Sequence, residues 1–214
     1  MQKVLFLLST IALLVWQSCS CPPDEQTGTL ALGQTAQDFL PYTGNETLVF
    51  VNENGEQETF SLPRGGEFSE DKLCYRTTCT EAKYNSPSSC EYYLADSRRF
   101  TFFSTDNTTV LDLLVYSDVY DYGKADFYDA FQIGYSTSSS NVVAHHVIEP
   151  RFTGIFDIIT LSLSDLMTSK SEITLNGRPL TNVLCFEEGN TAVYVQPGVG
   201  VVGYKDASHT WVLQ

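Results

Sequence analysis

Nowhere in the 214 residues is there an apolar run of about 20, the length a helix needs to cross a bilayer. The longest, Val4 to Trp16, has the length of an export signal's hydrophobic region, and later ones such as Leu111 to Val115 are strand-sized. Basic residues are equally scarce. Twelve Lys and Arg stand against 26 Asp and Glu, a net charge of −14, which disfavours nucleic acid or an anionic lipid surface as partner and favours solubility outside the cell. Long helical periodicity is nearly absent, so helices are not expected to dominate the fold. No Cys-x-x-Cys pair occurs and only three histidines are present, which argues against zinc or iron–sulfur centres; no cofactor is expected.

What is present begins at the N-terminus. Lys3, the apolar run, and then Gln17-Ser18-Cys19-Ser20-Cys21-Pro22-Pro23-Asp24-Glu25 have the anatomy of a signal ending at a lipidated cysteine. Residues 1–18 are expected to be a signal peptide, with lipidation at Cys19. Only Ser18 fits the strict pattern before that cysteine, so Cys21 is the alternative, and plain secretion a second one. Residues 19–37, rich in Gly, Thr, Gln and Pro, read as lipid anchor and flexible tether. Residues 38–214 read as one β-rich domain, and 43% hydrophobic with 13% aromatic residues suffices for its core.

Four cysteines of that domain, Cys74, Cys79, Cys90 and Cys185, form an even set suited to two disulfides in an oxidising compartment, with three connectivities open. Three of them cluster in what reads as a stapled loop. If Cys19 carries lipid, Cys21 is left over; if Cys21 does, the set stays even.

From Thr47 onward the dominant period is two. Thr47 to Val51 and Glu56 to Leu62 flank Asn54-Gly55, whose dipeptide supplies the positive φ a tight hairpin needs. Further strands are expected at Glu91 to Ala95, Arg99 to Ser104, Thr109 to Ser117, Phe127 to Tyr135, Val142 to Glu149, Ile155 to Leu163, Glu172 to Leu175, Asn182 to Glu187, Thr191 to Val195, Val199 to Lys205 and His209 to Leu213. Between Lys124 and Tyr135 a short helix fits the spacing nearly as well, and another fits Thr35 to Leu40. The fold class is all-β, mainly antiparallel: a meander forming a sandwich or an open or half β-barrel.

Leu175-Asn176-Gly177-Arg178-Pro179-Leu180-Thr181-Asn182-Val183, then Ala192 to Val195, Gly198 to Tyr204 and Thr210-Trp211-Val212-Leu213 resemble the ending of uncharacterised Bacteroidota-type lipoproteins. Those end in "L-N-G…N-V", "G-x-G-x-V" and "W-x-L" phrases. Asp24 and Glu25, an early acidic pair, resemble the same group, in which such residues accompany display on the cell surface. The resemblance implies an open β-barrel that cradles an apolar ligand. It brings no activity or catalytic residue with it.

Chemical motifs are thin. Gly198, Gly200 and Gly203 spell G-x-G-x-x-G, but the following residues are β-type, whereas a dinucleotide fingerprint opens a helix. His145 and His146 are adjacent on one expected strand and so point to opposite faces; His209 is the third. Gly134-Tyr135-Ser136-Thr137-Ser138 lacks the second glycine of a nucleophile elbow, and Ser136 to Ser140 reads as a loop. The densest polar set is Asp112, Asp118, Asp121, Asp126 and Asp129, interleaved with Tyr116, Tyr120, Tyr122 and Tyr128. Asp118, Asp121 and Asp126 are a weak Ca²⁺ candidate beside rings suited to sugars, although a solvated acidic turn suits the spacing better. The sequons Asn45-Glu46-Thr47 and Asn107-Thr108-Thr109 would matter only in a eukaryotic secretory pathway.

The expected function is an exported, lipid-anchored protein of the cell envelope, at the outer membrane or cell surface, or else secreted. Its β-domain is non-catalytic and binds an apolar small molecule, a glycan or an envelope protein. The alternatives are a structural or adhesive surface component and, third, a hydrolase, which needs a cleft joining a histidine to a serine or a carboxylate pair.

Overall fold

The computed structural model describes residues 21–80, 88–137, 141–150 and 167–214. Thirteen strands run in chain order: β1 (Glu25–Leu30), β2 (Thr47–Asn52), β3 (Gln57–Ser61), β4 (Gly66–Thr80), β5 (Ser88–Ser104), β6 (Thr109–Asp121), β7 (Asp126–Thr137), β8 (Asn141–Pro150), β9 (Met167–Leu175), β10 (Arg178–Glu188), β11 (Thr191–Gln196), β12 (Gly200–Lys205) and β13 (Thr210–Leu213). One helix, α1 (Gln34–Phe39), lies between β1 and β2. The all-β expectation holds, in a largely antiparallel sheet that is nearly a closed barrel. Its path is β8-β7-β6-β5-β3-β2-β13-β12-β11-β10-β9, and the two end strands β8 and β9 touch.

Alternation drives this closure. Along β6, Thr109, Leu111, Leu113, Val115, Ser117 and Val119 are buried while their neighbours are partly exposed, the pattern of a strand with one face inward. Inside the barrel, Phe50, Phe60 and Tyr204 meet edge to face, and Tyr42 does so with Phe100 and Phe102. Helix α1 enters the same space, with Ala36 and Phe39 buried and Phe39 against Phe131. The interior, where the resemblance would seat an apolar ligand, is occupied by these groups.

The turns differ from one expectation. Asn54-Gly55 does not form a two-residue primed turn: only Gly55 has positive φ (83°), and the Asn52 side chain organises a longer loop by accepting from the amides of Asn54 and Glu56. The dipeptide Asn176-Gly177 is the one with φ of 47° and 78°, joining β9 to β10. That hairpin curls onto β13. Asn176 Nδ2 donates to the carbonyl of Thr210, Arg178 donates to that of Leu213, and Leu175 with Leu180 joins a second small core on the outer face.

Two larger corrections concern residues 19–80. The expected tether contains β1, which pairs in parallel with β5 from Glu25 against Glu91 to Leu30 against Ala95, and runs on into buried α1. The expected stapled loop, Cys74 to Cys90, begins inside β4 and ends inside β5, and β4 pairs with β5 along its whole length. Both were hidden because most of β4 is exposed, so no apolar period marks it. The segment expected as a strand at Ile155 to Leu163, the signal region with Cys19, and Ser138 to Ser140 lie outside the described residues.

Beyond Ser97, β5 pairs with β6; before it, β5 pairs only with β1 and β4. An arm of three strands, β4-β5-β1, therefore projects from one end of the barrel. Two disulfides bind it, Cys21–Cys79 and Cys74–Cys90. Cys185 was expected in this framework and is not part of it: it is a buried thiol on β10, whose burial raises it to about 11, while Cys21 takes the fourth place. The Cys21–Cys79 bond also uses the sulfur that the alternative lipidation site requires.

Candidate functional site

Two places bring chemistry together. The first is a cleft of about 340 Å³ on the outer face, where β4 diverges from β6 across β5. Strand alternation aims Ser69, Asp71, Ser97, Arg99 and Tyr116 into it. Asp71 Oδ2 accepts from the hydroxyls of Ser69 (2.9 Å) and Ser97 (3.2 Å), which lie 2.7 Å from each other. Arg99 is committed to Asp112 by two hydrogen bonds of 2.8 and 2.5 Å. Burial pushes the Asp112 carboxyl up, but the Arg99 and Thr101 hydrogen bonds outweigh it and hold that carboxyl below the usual range. His145 stands beside this lining, its Nδ1 3.0 Å from the hydroxyl of Tyr116.

The second is the barrel's mouth at the end opposite the arm, beneath the turns after β2, β5 and β12. Four strands converge there through Glu58 (β3), Tyr135 (β7), Tyr204 (β12) and Trp211 (β13). The Tyr204 hydroxyl donates to the Glu58 carboxylate. Trp211 stacks on Tyr204, with centroids 5.8 Å apart and planes 9° apart, and its Nε1 donates to Asp206 Oδ2 at 2.8 Å. Tyr135 is 1% exposed, and its hydroxyl is buried with no hydrogen-bond partner among the described residues.

The carboxylates at the mouth act on their neighbours: the His209 imidazole is raised by its pairing with Glu53, and Asp206 raises it further. Burial raises the Glu58 carboxyl above its usual value, against the hydrogen bond from Tyr204, and the charges of Asp106 and Asp206 push it further up. Burial likewise raises the Tyr135 and Tyr204 hydroxyls. A carboxyl whose folded value is raised adds stability below the ordinary glutamate value of 4.5, and that contribution is lost as pH rises through the raised value. Glu58→Gln should therefore raise the unfolding midpoint relative to the parent protein at pH 7 and by less at pH 4. Paired thermal melts at the two pH values measure this; a pH-independent difference would contradict it.

The acidic series of β6 and β7 does not converge. Asp112 lies in the ion pair with Arg99, Asp118 accepts from Tyr128, Asp121 pairs with Lys124 at 3.0 Å, and Asp129 is fully buried, accepting from the Gly33 amide and the Ser117 hydroxyl. Asp121 and Asp126 face each other across the hairpin, yet no group of three metal-ligating side chains occurs among the described residues, so Asp118, Asp121 and Asp126 form no cage. His145 Nδ1 is 3.0 Å from the Tyr116 hydroxyl, and burial lowers both His145 and His146. His209 pairs with Glu53 on the surface. Of the three glycines, Gly198 and Gly200 turn β11 into β12 and Gly203 packs against β13, which is strand structure.

No family model matches the chain, no curated protein matches it, and no solved structure matches it. Neither place was visible as a cluster beforehand. Glu58, Tyr135, Tyr204 and Trp211 span more than 150 positions, and only their inward parity on separate strands, Glu58 with Phe60 and Tyr135 with Ile133, could have grouped them.

Proposed function

We propose that this is an exported envelope protein, lipid-anchored through Cys19, whose non-catalytic β-domain binds a ligand on the side facing away from the membrane. The observation that carries this is the Cys21–Cys79 disulfide. A thiol engaged there cannot also carry a lipid, which removes Cys21 as the alternative acceptor and supports Cys19 over it, and a disulfide suits folding in an oxidising compartment. The resemblance to Bacteroidota-type lipoproteins supports the same address.

The same bond changes how the domain sits. With lipid two residues from a cysteine bonded to β4, the arm lies at the membrane surface rather than at the end of a loose linker. Strand β5 has 17 residues. At about 3.3 Å per residue it runs roughly 50 Å, from the arm's tip to the mouth of the barrel, which presents the mouth outward.

The hydroxyl–carboxylate set of the outer cleft supports binding of a polar group. An adhesive role is favoured by one feature: among the described residues β4 pairs only with β5, leaving one edge free, and it bears Phe68 at 59% exposure. Mass spectrometry of the native N-terminus decides the anchor. We expect a diacylglyceryl-modified Cys19 as the first residue, and Cys19→Ser should move the protein from the membrane to the soluble fraction. An unmodified terminus, or lipid on Cys21, defeats the assignment.

A further inference from the structure

The mouth of the barrel gathers polar groups that the fold itself leaves unmatched. Tyr135 is the main sign of this. A phenol oxygen removed from water needs a partner, and leaving one out costs about 1–3 kcal/mol. The Tyr135 hydroxyl has none among the described residues, although its ring lies 6.1 Å from that of Tyr204 and its charge environment is set by Glu58 and Asp206. A fold that only needed to fill this volume could use phenylalanine, as it does at Phe131 on the same inward face of the same strand.

The second observation is a group of three carboxylates without an ion-pair partner among the described residues, with the His209 imidazole beside Asp206 committed to Glu53. Asp106 and Asp206 bear on Glu58 from the two neighbouring turns, and among the described residues none of the three forms an ion pair with a lysine, arginine or histidine. Asp106 is held by the hydroxyls of Ser104 and Thr108, and Asp206 by Trp211 and by the amides of Ser208 and His209. These bonds fix the carboxylates in place without neutralising them. Glu58 is partly buried, and the rings of Tyr204 and Trp211 stack beside it.

The complement of such a place is a small organic cation that donates hydrogen bonds. Its charge faces Glu58 and the aromatic wall, and an N–H reaches the lone oxygen of Tyr135. We infer that the mouth of the barrel binds a primary ammonium group, with Glu58 and Tyr135 as its direct partners and Tyr204 with Trp211 as the aromatic side. This deepens the ligand-binding assignment proposed above and rests on it.

Trp211 provides the measurement. The sequence has two tryptophans, Trp16 and Trp211, so removal of residues 1–18 leaves Trp211 as the sole reporter beside the site. Protein purified from the envelope is titrated with methylammonium chloride, with tetramethylammonium chloride, and with sodium chloride at equal ionic strength. We expect a saturable change in Trp211 emission with methylammonium, a weaker one with tetramethylammonium, which has no N–H, and none beyond screening with sodium. Glu58→Gln and Tyr135→Phe should each weaken methylammonium binding about tenfold or more. Tyr135→Phe should unfold no more easily than the parent, because it deletes only an unpartnered hydroxyl. The same response to all three salts, no saturable response, or unchanged affinity in Tyr135→Phe overturns the site. A clear loss of stability in Tyr135→Phe does so too, since the hydroxyl would then have an internal partner. The N-terminal mass is read on the same sample, so failure of the anchor is seen separately from failure of the site.

Discussion

Replacing Cys21 and Cys79 together by serine is expected to lower the unfolding free energy by about 4 kcal/mol and to release β1 from the arm. The bond joins positions 58 residues apart. Restricting a loop of that length in the unfolded chain is worth about 4 kcal/mol in the chain-entropy account, against about 3 for the 16-residue span of Cys74–Cys90. Neither bond shortens the other's loop, because Cys74 and Cys79 are close in sequence, so the two effects should nearly add. The other ties of this segment are weaker. The Asp24–Lys72 pair is surface-exposed, and such pairs contribute about 0–1 kcal/mol. Asp24 also accepts the Cys90 amide, and Ser89 donates to the carbonyl of Pro22. Once the bond is gone, β1 is held by five residue pairs with β5, a Gly28 that packs on Tyr93, and no fully buried side chain of its own. Denaturant unfolding measures the first effect, and limited proteolysis within residues 21–33 the second. A loss under 1 kcal/mol with an uncut N-terminus would mean that β1 is held by its own pairing.

This expectation also shows where the sequence was legible and where it was not. Strands that close the barrel announce themselves, because one face is buried and the alternation is written in residue type, as in Leu111, Leu113 and Val115. β1 and β4 leave no such mark. They sit in an arm with little core behind it, where polar residues occupy both faces and stability comes from cross-links. Cysteine parity foresaw two disulfides but placed Cys185 in them, because counting cannot distinguish a thiol buried in a strand from one at an edge. At the mouth of the barrel the informative residues are spread over strands β3, β7, β12 and β13, so no local motif exists. The acidic run of β6 and β7 shows the opposite case: residues dense in sequence are sent by the pleat to different faces and find separate partners, Arg99, Tyr128, Lys124 and Gly33.

Gly200→Ala should be among the most damaging single changes, costing about 3 kcal/mol or more. Gly200 has a φ of 90°, which an L-residue adopts only with strain of order 1–3 kcal/mol. A Cβ there would also overlap the hydroxyl and ring of Tyr42. Tyr42 cannot easily withdraw. It is 7% exposed, its ring is edge-on to Phe100 and Phe102, and its hydroxyl receives the buried amide of Val201 at 2.7 Å. Overpacking such a core typically costs a further 1–3 kcal/mol. The contact is where the chain after α1 meets the β11–β12 turn, and Gly198 donates to the carbonyl of Asp38 alongside it, so the strain falls on the docking of the helix into the barrel. Tyr42→Phe separates the contributions: it removes only the hydroxyl and leaves the Val201 amide unpaired, for about 1–3 kcal/mol. Tyr42→Leu combined with Gly200→Ala then tests the clash itself. Removing the ring should make the second substitution cheaper than it is alone, a coupling readable as a double-mutant cycle in denaturant. Strict additivity would place the whole effect in the backbone angle, and a Gly200→Ala protein as stable as its parent would mean that α1 does not depend on this contact for its seat.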